Sequence, residues 1–191
     1  MEEFYTKVLN YYPKIREIDF SDMWPRLSKN PLKNGRSFPM ILHTRGSGII
    51  MVKTLRLKSP AKVNLRLEIL RRRVDGYHEL RTVLQKISLH DTLSISLKKE
   101  KGIFISTNHP KLPIGRGNLV YQAAQMILKK SEYEGGLHID IRKEIPLGAG
   151  LGGGSSNAAT TLMALNQLLE MGLPTKELMK MGLSIGADVP F

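Results

Sequence analysis

Apolar and polar residues alternate with a period of two in the second part of the chain. This alternation recurs in five stretches, namely 55–57, 63–69, 93–97, 103–105 and 137–141. A period of two predicts strands with one buried face, because successive side chains of a strand point to opposite sides of the sheet. We therefore expect half-buried strands at all five places.

Helical patterns interrupt these strands. Asn118 can cap a helix that runs to about Lys130, since its side chain can accept a hydrogen bond from the first turn. A second helix is predicted over 155–171 and a third over 175–182. Strands and helices that mix without strict β-α alternation favour an α+β domain, with a mixed sheet packed against helices.

The first fifty residues differ from the rest. Four prolines and several turn-forming pairs interrupt every periodic pattern there. The stretch lacks the apolar core of a secretory signal, and its acidic residues do not suit a transit peptide. We expect residues 1–50 to be a poorly ordered extension of unknown role, and 51–191 to be a compact domain.

Charge and composition narrow the function. The 191 residues include 29 Lys and Arg but only 17 Asp and Glu, which gives a net charge of +12. This excess suggests an anionic partner such as a nucleic acid, a membrane surface or a phosphorylated small molecule. Cysteine is absent, which excludes a disulfide scaffold and a cysteine nucleophile. No apolar run approaches the roughly 20 residues needed to span a bilayer.

The strongest motif is the glycine-rich segment 146–156, which precedes the second predicted helix. Glycines allow positive φ and close approach of a ligand, and their amides together with a helix N-terminus attract anions. Ser155 and Ser156 can cap the helix or contact a phosphate or its metal. We therefore expect the whole segment to bind phosphate: Pro146, Leu147, Gly148, Ala149, Gly150, Leu151, Gly152, Gly153, Gly154, Ser155 and Ser156.

Three other interpretations of this segment fit less well. Its glycines satisfy G-x-G-x-x-G, but a dinucleotide fold needs a strand after the helix, and here residues 172–174 lead into another helix. The loop of nucleoside triphosphatases needs a lysine before its serine, whereas Gly154 precedes Ser155 here. A flexible linker would not require the apolar helix that follows.

Further candidates lie outside the glycine segment. Lys62 and Asn64 share one side of a predicted strand, and a solvated strand face is the simplest interpretation. Asp188 follows the third predicted helix and can be an ordinary turn residue. Beside a lysine it would instead be a credible proton acceptor for a hydroxyl, because a nearby cation keeps a carboxylate ionised.

A hairpin turn is predicted at residues 75–76, where Asp and Gly adjoin. Tyr77 and His78 follow this turn. An aromatic ring and an imidazole can stack on a base and hydrogen-bond to it, or they can cover the end of a core. The residues alone leave both possibilities open.

Taken together, four segments resemble the GHMP kinase superfamily. They are Pro60-Ala61-Lys62-Val63-Asn64-Leu65, Asp75-Gly76-Tyr77-His78, residues 146–159 and Gly186-Ala187-Asp188-Val189-Pro190-Phe191. Within the superfamily, the order and spacing of these segments resemble the kinases that act on a cytidylylated methylerythritol in the non-mevalonate isoprenoid pathway. The resemblance covers about residues 52–191.

This resemblance implies a fold similar to that of a ribosomal-protein domain. It also implies a cytoplasmic enzyme that uses ATP and Mg²⁺ to phosphorylate the 2-hydroxyl of the substrate. It places the ATP phosphates on 146–156, and it implies that Asp188 is catalytic and that Lys62 accompanies it. It also implies that Tyr77 and His78 hold the cytosine and that Asn64 lines the acceptor pocket. Asn118 and Lys143 would lie near the nucleoside of ATP.

Members of the superfamily run to roughly twice the length of the matching region. We therefore expect residues 51–191 to be an N-terminal domain truncated before its C-terminal partner, in a fragment or a mis-bounded gene product with little turnover by itself. No metal ligand and no oligomeric state can be assigned.

Other functions stay open. Another small-molecule GHMP kinase, such as a homoserine or mevalonate kinase, would be identified by a panel of acceptors. A nucleic-acid-binding module of related fold is less expected, and its binding would weaken steeply as the salt concentration rises. A protein that binds without catalysis is the third alternative.

Overall fold

The computed structural model describes residues 54–72 and 78–190, together with two short strands. These are β1 (His43–Thr44) and β2 (Ile49–Ile50), which pair antiparallel. All of these residues belong to the second of two units of the chain, Ser37–Phe191. The predicted extension, apart from the two short strands, and the turn at 75–76 lie outside the described residues.

A four-stranded mixed sheet forms the centre of this unit. Its strands are β3 (Thr54–Arg72), β4 (His78–Lys98), β5 (Ile103–Thr107) and β6 (Gly136–Arg142). Their order is β3-β4-β6-β5, and only the pairing of β5 with β6 is parallel. The predicted α+β class with a mixed sheet is therefore confirmed.

The far half of the β3–β4 hairpin departs from the predicted pattern. The two alternating stretches at 55–57 and 63–69 belong to one strand, β3, whose pairing with β4 changes register at several points. Leu65, Leu67 and Ile69 were expected on a buried face, but they are exposed. Among the residues that the structure describes, the sheet is two strands wide at this point, because β6 pairs with β4 only over 92–98.

The described residues form three helices, namely α1 (Leu119–Lys130), α2 (Gly153–Leu168) and α3 (Thr175–Ile185). Helices α1 and α2 pack against the sheet, and α3 packs against α1 and α2. The predicted cap of α1 is confirmed, because the side chain of Asn118 accepts a hydrogen bond from the Val120 amide at 2.9 Å. Helix α3 extends three residues beyond its predicted end. Within the described part of the chain, no helix is long and apolar enough to cross a membrane.

Helix α2 begins and ends earlier than the sequence predicts. It starts after Gly152, whose φ of 68° allows the chain to turn into the helix. Beyond its C-terminus, Glu170 and Gly172 adopt positive φ and carry the chain away from the helical path. The Asn166 side chain then holds the following segment through two hydrogen bonds with the backbone of Leu173, at 2.9 and 3.1 Å.

The core lies between the sheet and helices α1 and α2. Its members are branched aliphatic side chains on the strands and small or aliphatic side chains on the helices: Leu93, Ile95, Ile105, Leu137, Ile139, Ile141, Val120, Ala123, Ala124, Ile127, Ala158, Leu162 and Leu165. The small alanines let the helices approach closely. This packing fixes the N-terminal end of α2, and therefore the glycine segment that leads into it.

Candidate active site

The glycine segment has a regular backbone conformation. Gly148, Gly150 and Gly152 have φ values of 71°, 72° and 68°, whereas Ala149 and Leu151 between them do not adopt positive φ. Alternation of left-handed and ordinary conformations turns successive amides towards one side of the chain, which forms a concavity suited to anions. The positive φ predicted for the glycines is therefore present at three of them, whereas phosphate binding by the segment stays a prediction.

The start of α2 adjoins this concavity. Its N-cap residue is Gly152, and no side chain caps the helix. The prediction that Ser155 or Ser156 caps α2 is wrong, because both serines already lie inside the first turn. The Ser156 amide donates to the Gly152 carbonyl at 2.8 Å. By helix geometry, the amides of Gly153, Gly154 and Ser155 have no intrahelical acceptor. They add to the positive end of the helix dipole at the glycine segment.

Two of the glycines are also required by close packing. A Cβ atom on Gly152 would lie 2.9 Å from Cγ of Lys62, and one on Gly153 would lie 2.9 Å from Cγ2 of Ile145. Carbon atoms in contact are normally about 3.5–4.0 Å apart. The segment can therefore approach the lysine stem and the sheet only because these positions have no side chain.

Strand β3 holds the segment from one side. The Lys62 amide donates a hydrogen bond to the carbonyl of Leu151 at 2.9 Å, and the Leu151 side chain is buried. The hydroxyl of Ser59, which is fully buried, donates to the hydroxyl oxygen of Ser156 at 2.9 Å. These contacts attach the middle and the end of the glycine segment to the edge of the sheet.

Lys62 brings three predicted site residues together. Its Nζ donates to Oδ1 of Asn64 at 3.1 Å and lies 3.5 Å from Oδ2 of Asp188. The Lys62 side chain is only 12% exposed, while that of Asp188 is 51% exposed. A cation is thus held beside the glycine segment, with an accessible carboxylate next to it. This arrangement leaves the carboxylate open to contact with a ligand.

Asp188 is positioned by the residue that follows it. Val189 is buried and packs against Gly182 of α3, so closely that a Cβ atom on Gly182 would lie 2.9 Å from Cγ1 of Val189. The Val189 amide also donates to the carbonyl of Gly186 at 3.1 Å. The turn that carries the carboxylate is therefore held against α3.

A buried ion pair below the segment was not predicted. Asp91 of β4 and Lys143 pair through Oδ2 and Nζ, and both side chains are almost fully buried. The other oxygen of Asp91 accepts from the amides of Glu144 and Ile145, both at 2.8 Å. No spacing in the sequence links Asp91 with residues 143–145, because the contact depends on how β4 and β6 pair.

Lys143 and Asn118, which were also predicted to lie in the site, use their side chains for contacts within the fold. The Lys143 ammonium contacts Asp91, and Asn118 uses its side chain for the α1 cap and for a 2.6 Å bond to the Pro113 carbonyl. Their placement near a nucleoside stays a prediction. Tyr77 and the side chain of His78 lie outside the described residues. In the described part of the chain, no group of three or more acidic or histidine side chains could hold a metal ion.

Comparisons with known proteins identify kinases of similar sequence and fold. Residues 118–191 match the family of GHMP kinases N terminal domains. The described domain therefore has the fold of the N-terminal domain of GHMP kinases. The structure of *Methanococcus jannaschii* mevalonate kinase has the same fold, with a TM-score of 0.55 and 22% identity over 76% of this chain and 48% of that one.

Within the family, the resemblance is more specific. The chain is 51% identical over 140 residues to 4-diphosphocytidyl-2-C-methyl-D-erythritol kinase of Citrifermentans bemidjiense. These 140 residues are 73% of this chain and 50% of the relative. A kinase of the same name from *Lachnospira eligens* is 44% identical over the same share of this chain and 49% of its own.

A solved structure supports this specific resemblance. The crystal structure of a 4-(cytidine 5'-diphospho)-2C-methyl-D-erythritol kinase matches with a TM-score of 0.61 and 42% identity, over 72% of this chain and 48% of that one. The chain thus spans about half the length of the curated relatives that it matches.

Proposed function

We propose that this domain belongs to a kinase that transfers the γ-phosphoryl group of ATP to the 2-hydroxyl of 4-diphosphocytidyl-2-C-methyl-D-erythritol. The observation that carries the proposal is the 3.5 Å approach of Lys62 to Asp188 beside the glycine segment. This contact combines an anion-binding backbone, a cation and an accessible carboxylate in one place. The names of the relatives in the comparisons supply the acceptor.

ATP is the proposed nucleotide, with its triphosphate on residues 146–156. The left-handed glycines and the uncapped start of α2 favour an anion at this point. Phosphoryl transfer depends mainly on positioning and on neutralising the charge of the transferred group. The amides of the segment, the helix dipole and the Lys62 ammonium would supply part of that neutralisation.

Mg²⁺ is the proposed metal. In nucleotide sites this ion is held by one or two carboxylates together with substrate phosphates, so a preformed cluster of acidic side chains is not required. The oxygen donors of this chain near the phosphates would be the hydroxyls of Ser155 and Ser156. The ion would supply further positive charge to the phosphoryl group.

The carboxylate of Asp188 would accept the proton of the acceptor hydroxyl or orient that hydroxyl for attack. Lys62 would contact the transferred group and neutralise part of its charge. Asn64 accepts a hydrogen bond from Lys62, and we propose that it lines the acceptor pocket. Tyr77 and His78 are proposed to hold the cytosine by stacking and hydrogen bonding. The use of ATP also fits the predicted cytoplasmic location.

Calorimetry with Mg²⁺ and a non-hydrolysable ATP analogue tests the nucleotide half of this proposal on the chain itself. An ADP-release assay with a panel of acceptors tests the other half, on this chain and on one that continues to the length of its relatives. We expect release only with the cytidylylated methylerythritol. Equal or faster release with homoserine or mevalonate would refute the assigned acceptor, and absence of analogue binding would refute the kinase.

A further inference from the structure

Ser59 and Asp91 are register partners on strands β3 and β4, and each holds one end of the glycine segment. Ser59 contacts Ser156 at the far end through a 2.9 Å hydrogen bond. Asp91 contacts residues 143–145, immediately before the segment begins. Two neighbouring positions of the sheet thus contact the chain just before the segment begins and at the last residue of the segment.

Asp91 lies at the point where the sheet stops supporting strand β6. The last pair between β4 and β6 joins Thr92 to Arg142. Beyond it, ladder hydrogen bonds no longer position the chain. The carboxylate of Asp91 takes over this role, since its Oδ1 accepts from the amides of Glu144 and Ile145 at 2.8 Å each.

The buried charge of Asp91 is not explained by stability alone. Well-packed apolar side chains stabilise a fold as well as a buried ion pair does, because taking two charges out of water is unfavourable. An ion pair instead fixes geometry, since its members must meet at defined atoms. The Asp91 side chain is fully buried, and both of its oxygens have partners: one contacts Lys143 and the other accepts from the amides of 144–145. These contacts restrict the conformation of the backbone at 144–145.

Lys143 links this arrangement to the start of α2. Its Nζ lies 3.1 Å from the position that a Cβ atom on Gly153, the first residue of α2, would occupy. A cation at the positive end of a helix dipole is unfavourable. The carboxylate of Asp91 offsets this unfavourable charge in the absence of a ligand. A polyphosphate bound at the segment would be attracted by the positive charge of Lys143.

We propose that Asp91 is a positioning residue of the phosphate-binding segment, which it fixes through the amides of Glu144 and Ile145 and through Lys143. The inference rests on the proposed binding of ATP phosphates by residues 146–156. It assigns Asp91 no contact with the nucleotide. Loss of Asp91 should therefore weaken nucleotide binding even in protein that remains folded.

Two substitutions separate this role from a purely structural one. Asp91→Leu removes both the charge and the acceptor, and Asp91→Asn keeps an oxygen for the two amides. We expect the dissociation constant of the Mg²⁺-bound ATP analogue to rise at least tenfold in the leucine variant, and the asparagine variant to bind at least threefold more tightly than the leucine variant. Asp140→Asn, which changes an exposed carboxylate of β6, is the matched control and should stay within twofold of the original chain.

Circular dichroism and the urea midpoint identify the conditions under which each variant is folded. A folded leucine variant with unchanged affinity would overturn the inference, as would an asparagine variant that binds no better than the leucine variant. If the original chain does not bind the analogue, the proposed function fails and the inference fails with it. Affinity lost only in the variants leaves the proposed function intact.

Hydrogen exchange on the unmodified chain provides a test that does not depend on a variant that folds. If the hydrogen bonds between Asp91 and the amides of 144–145 strengthen nucleotide binding, then nucleotide binding must strengthen these hydrogen bonds by the same free energy. Saturation with the analogue should then slow exchange at the amides of Glu144 and Ile145 by at least threefold. Protection confined to residues 148–155 would contradict the proposed coupling.

Discussion

The ammonium of Lys62 lies 3.5 Å from the carboxylate of Asp188, although one comes from the edge strand β3 and the other from the turn after α3. Because the Asp188 side chain is 51% exposed, water screens the attraction between the two charges. Exposed pairs of this kind contribute at most about 1 kcal/mol to stability. The contact therefore matters for what it places beside the glycine segment rather than for the stability of the fold.

Asp188→Asn should separate chemistry from binding. Asparagine has nearly the same shape but cannot accept a proton, so we expect kcat to fall by roughly 10² or more. The affinity for the ATP analogue should change little, and the free energy of unfolding should change by less than about 1 kcal/mol. ADP release, calorimetry and urea unfolding measure the three quantities in a chain of the relatives' length.

Glu177→Gln is the control for this substitution. Glu177 forms an ion pair with Lys130 at 2.9 Å and is partly exposed, but it lies on α3 outside the site. Its removal should leave kcat within about twofold of the original value. Near-normal turnover of Asp188→Asn would exclude Asp188 from the mechanism.

Gly152→Ala should weaken nucleotide binding by more than tenfold, which corresponds to about 1.4 kcal/mol. The new Cβ atom would lie 2.9 Å from Cγ of Lys62, at a residue with a φ of 68°. The clash would displace both the segment and the lysine. Calorimetry with the ATP analogue measures the effect.

Gly172→Ala controls for backbone strain alone. Gly172 has a similar φ of 64°, but a Cβ atom there would have no neighbour within 4 Å. This variant should lose roughly 1 kcal/mol of stability, as an L residue does in the left-handed region, and keep its nucleotide affinity. Equal losses of affinity in both variants would mean that strain, and not the Lys62 contact, is responsible.

Ser59→Ala tests the attachment at the far end of the segment. The substitution removes the buried hydroxyl that donates to Ser156, so the free energy of unfolding should fall by about 1 kcal/mol. Nucleotide affinity should fall two- to fivefold, because Ser156 loses its anchor to the sheet. Thr54→Val is a comparable loss of a hydroxyl, bonded to Ser96 near the start of β3, and it should leave the affinity unchanged. An affinity unchanged in both variants would contradict the anchoring role.

Local features of the site could be predicted from the sequence because they depend on consecutive residues. The glycines of 146–156 indicate positive φ, and the Asn118 cap precedes an apolar periodic stretch. The pairing of Lys62 with Asp188 was expected only from the family resemblance. No local pattern relates a strand to a turn so far along the chain.

Tertiary context decided the features that were predicted wrongly or missed. Alternation over 63–69 indicates a buried face, but burial requires a covering layer, and the described sheet is two strands wide there. The carboxylate of Asp91 meets residues 143–145 only because β4 and β6 pair in one register. The end of α2 depends on the side chain of Asn166, which bonds to Leu173 beyond the helix.

Gly182→Ala tests whether the packing of α3 positions Asp188, the proposed catalytic carboxylate. Alanine favours a helix over glycine by up to about 1 kcal/mol, but here its Cβ atom would lie 2.9 Å from Cγ1 of the buried Val189. Overpacking of this kind costs about 1–3 kcal/mol, so we expect a net loss of stability. Displacement of Val189 would also move Asp188, which precedes it, and lower kcat with little change in nucleotide affinity.

A double-mutant cycle with Val189→Ala isolates this contact. Val189→Ala removes the methyl groups that the new Cβ atom would meet. The loss of stability that Val189→Ala causes should therefore be at least about 1 kcal/mol smaller in the Gly182→Ala background than in the original chain. Gly186→Ala is the control within the same turn, because a Cβ atom there would meet Val189 at 3.5 Å, an ordinary contact distance. Urea unfolding and ADP release measure stability and kcat for all four proteins of the cycle. Additive effects in the cycle, or a Gly182→Ala variant with full kcat, would show that Val189 does not hold Asp188 in place.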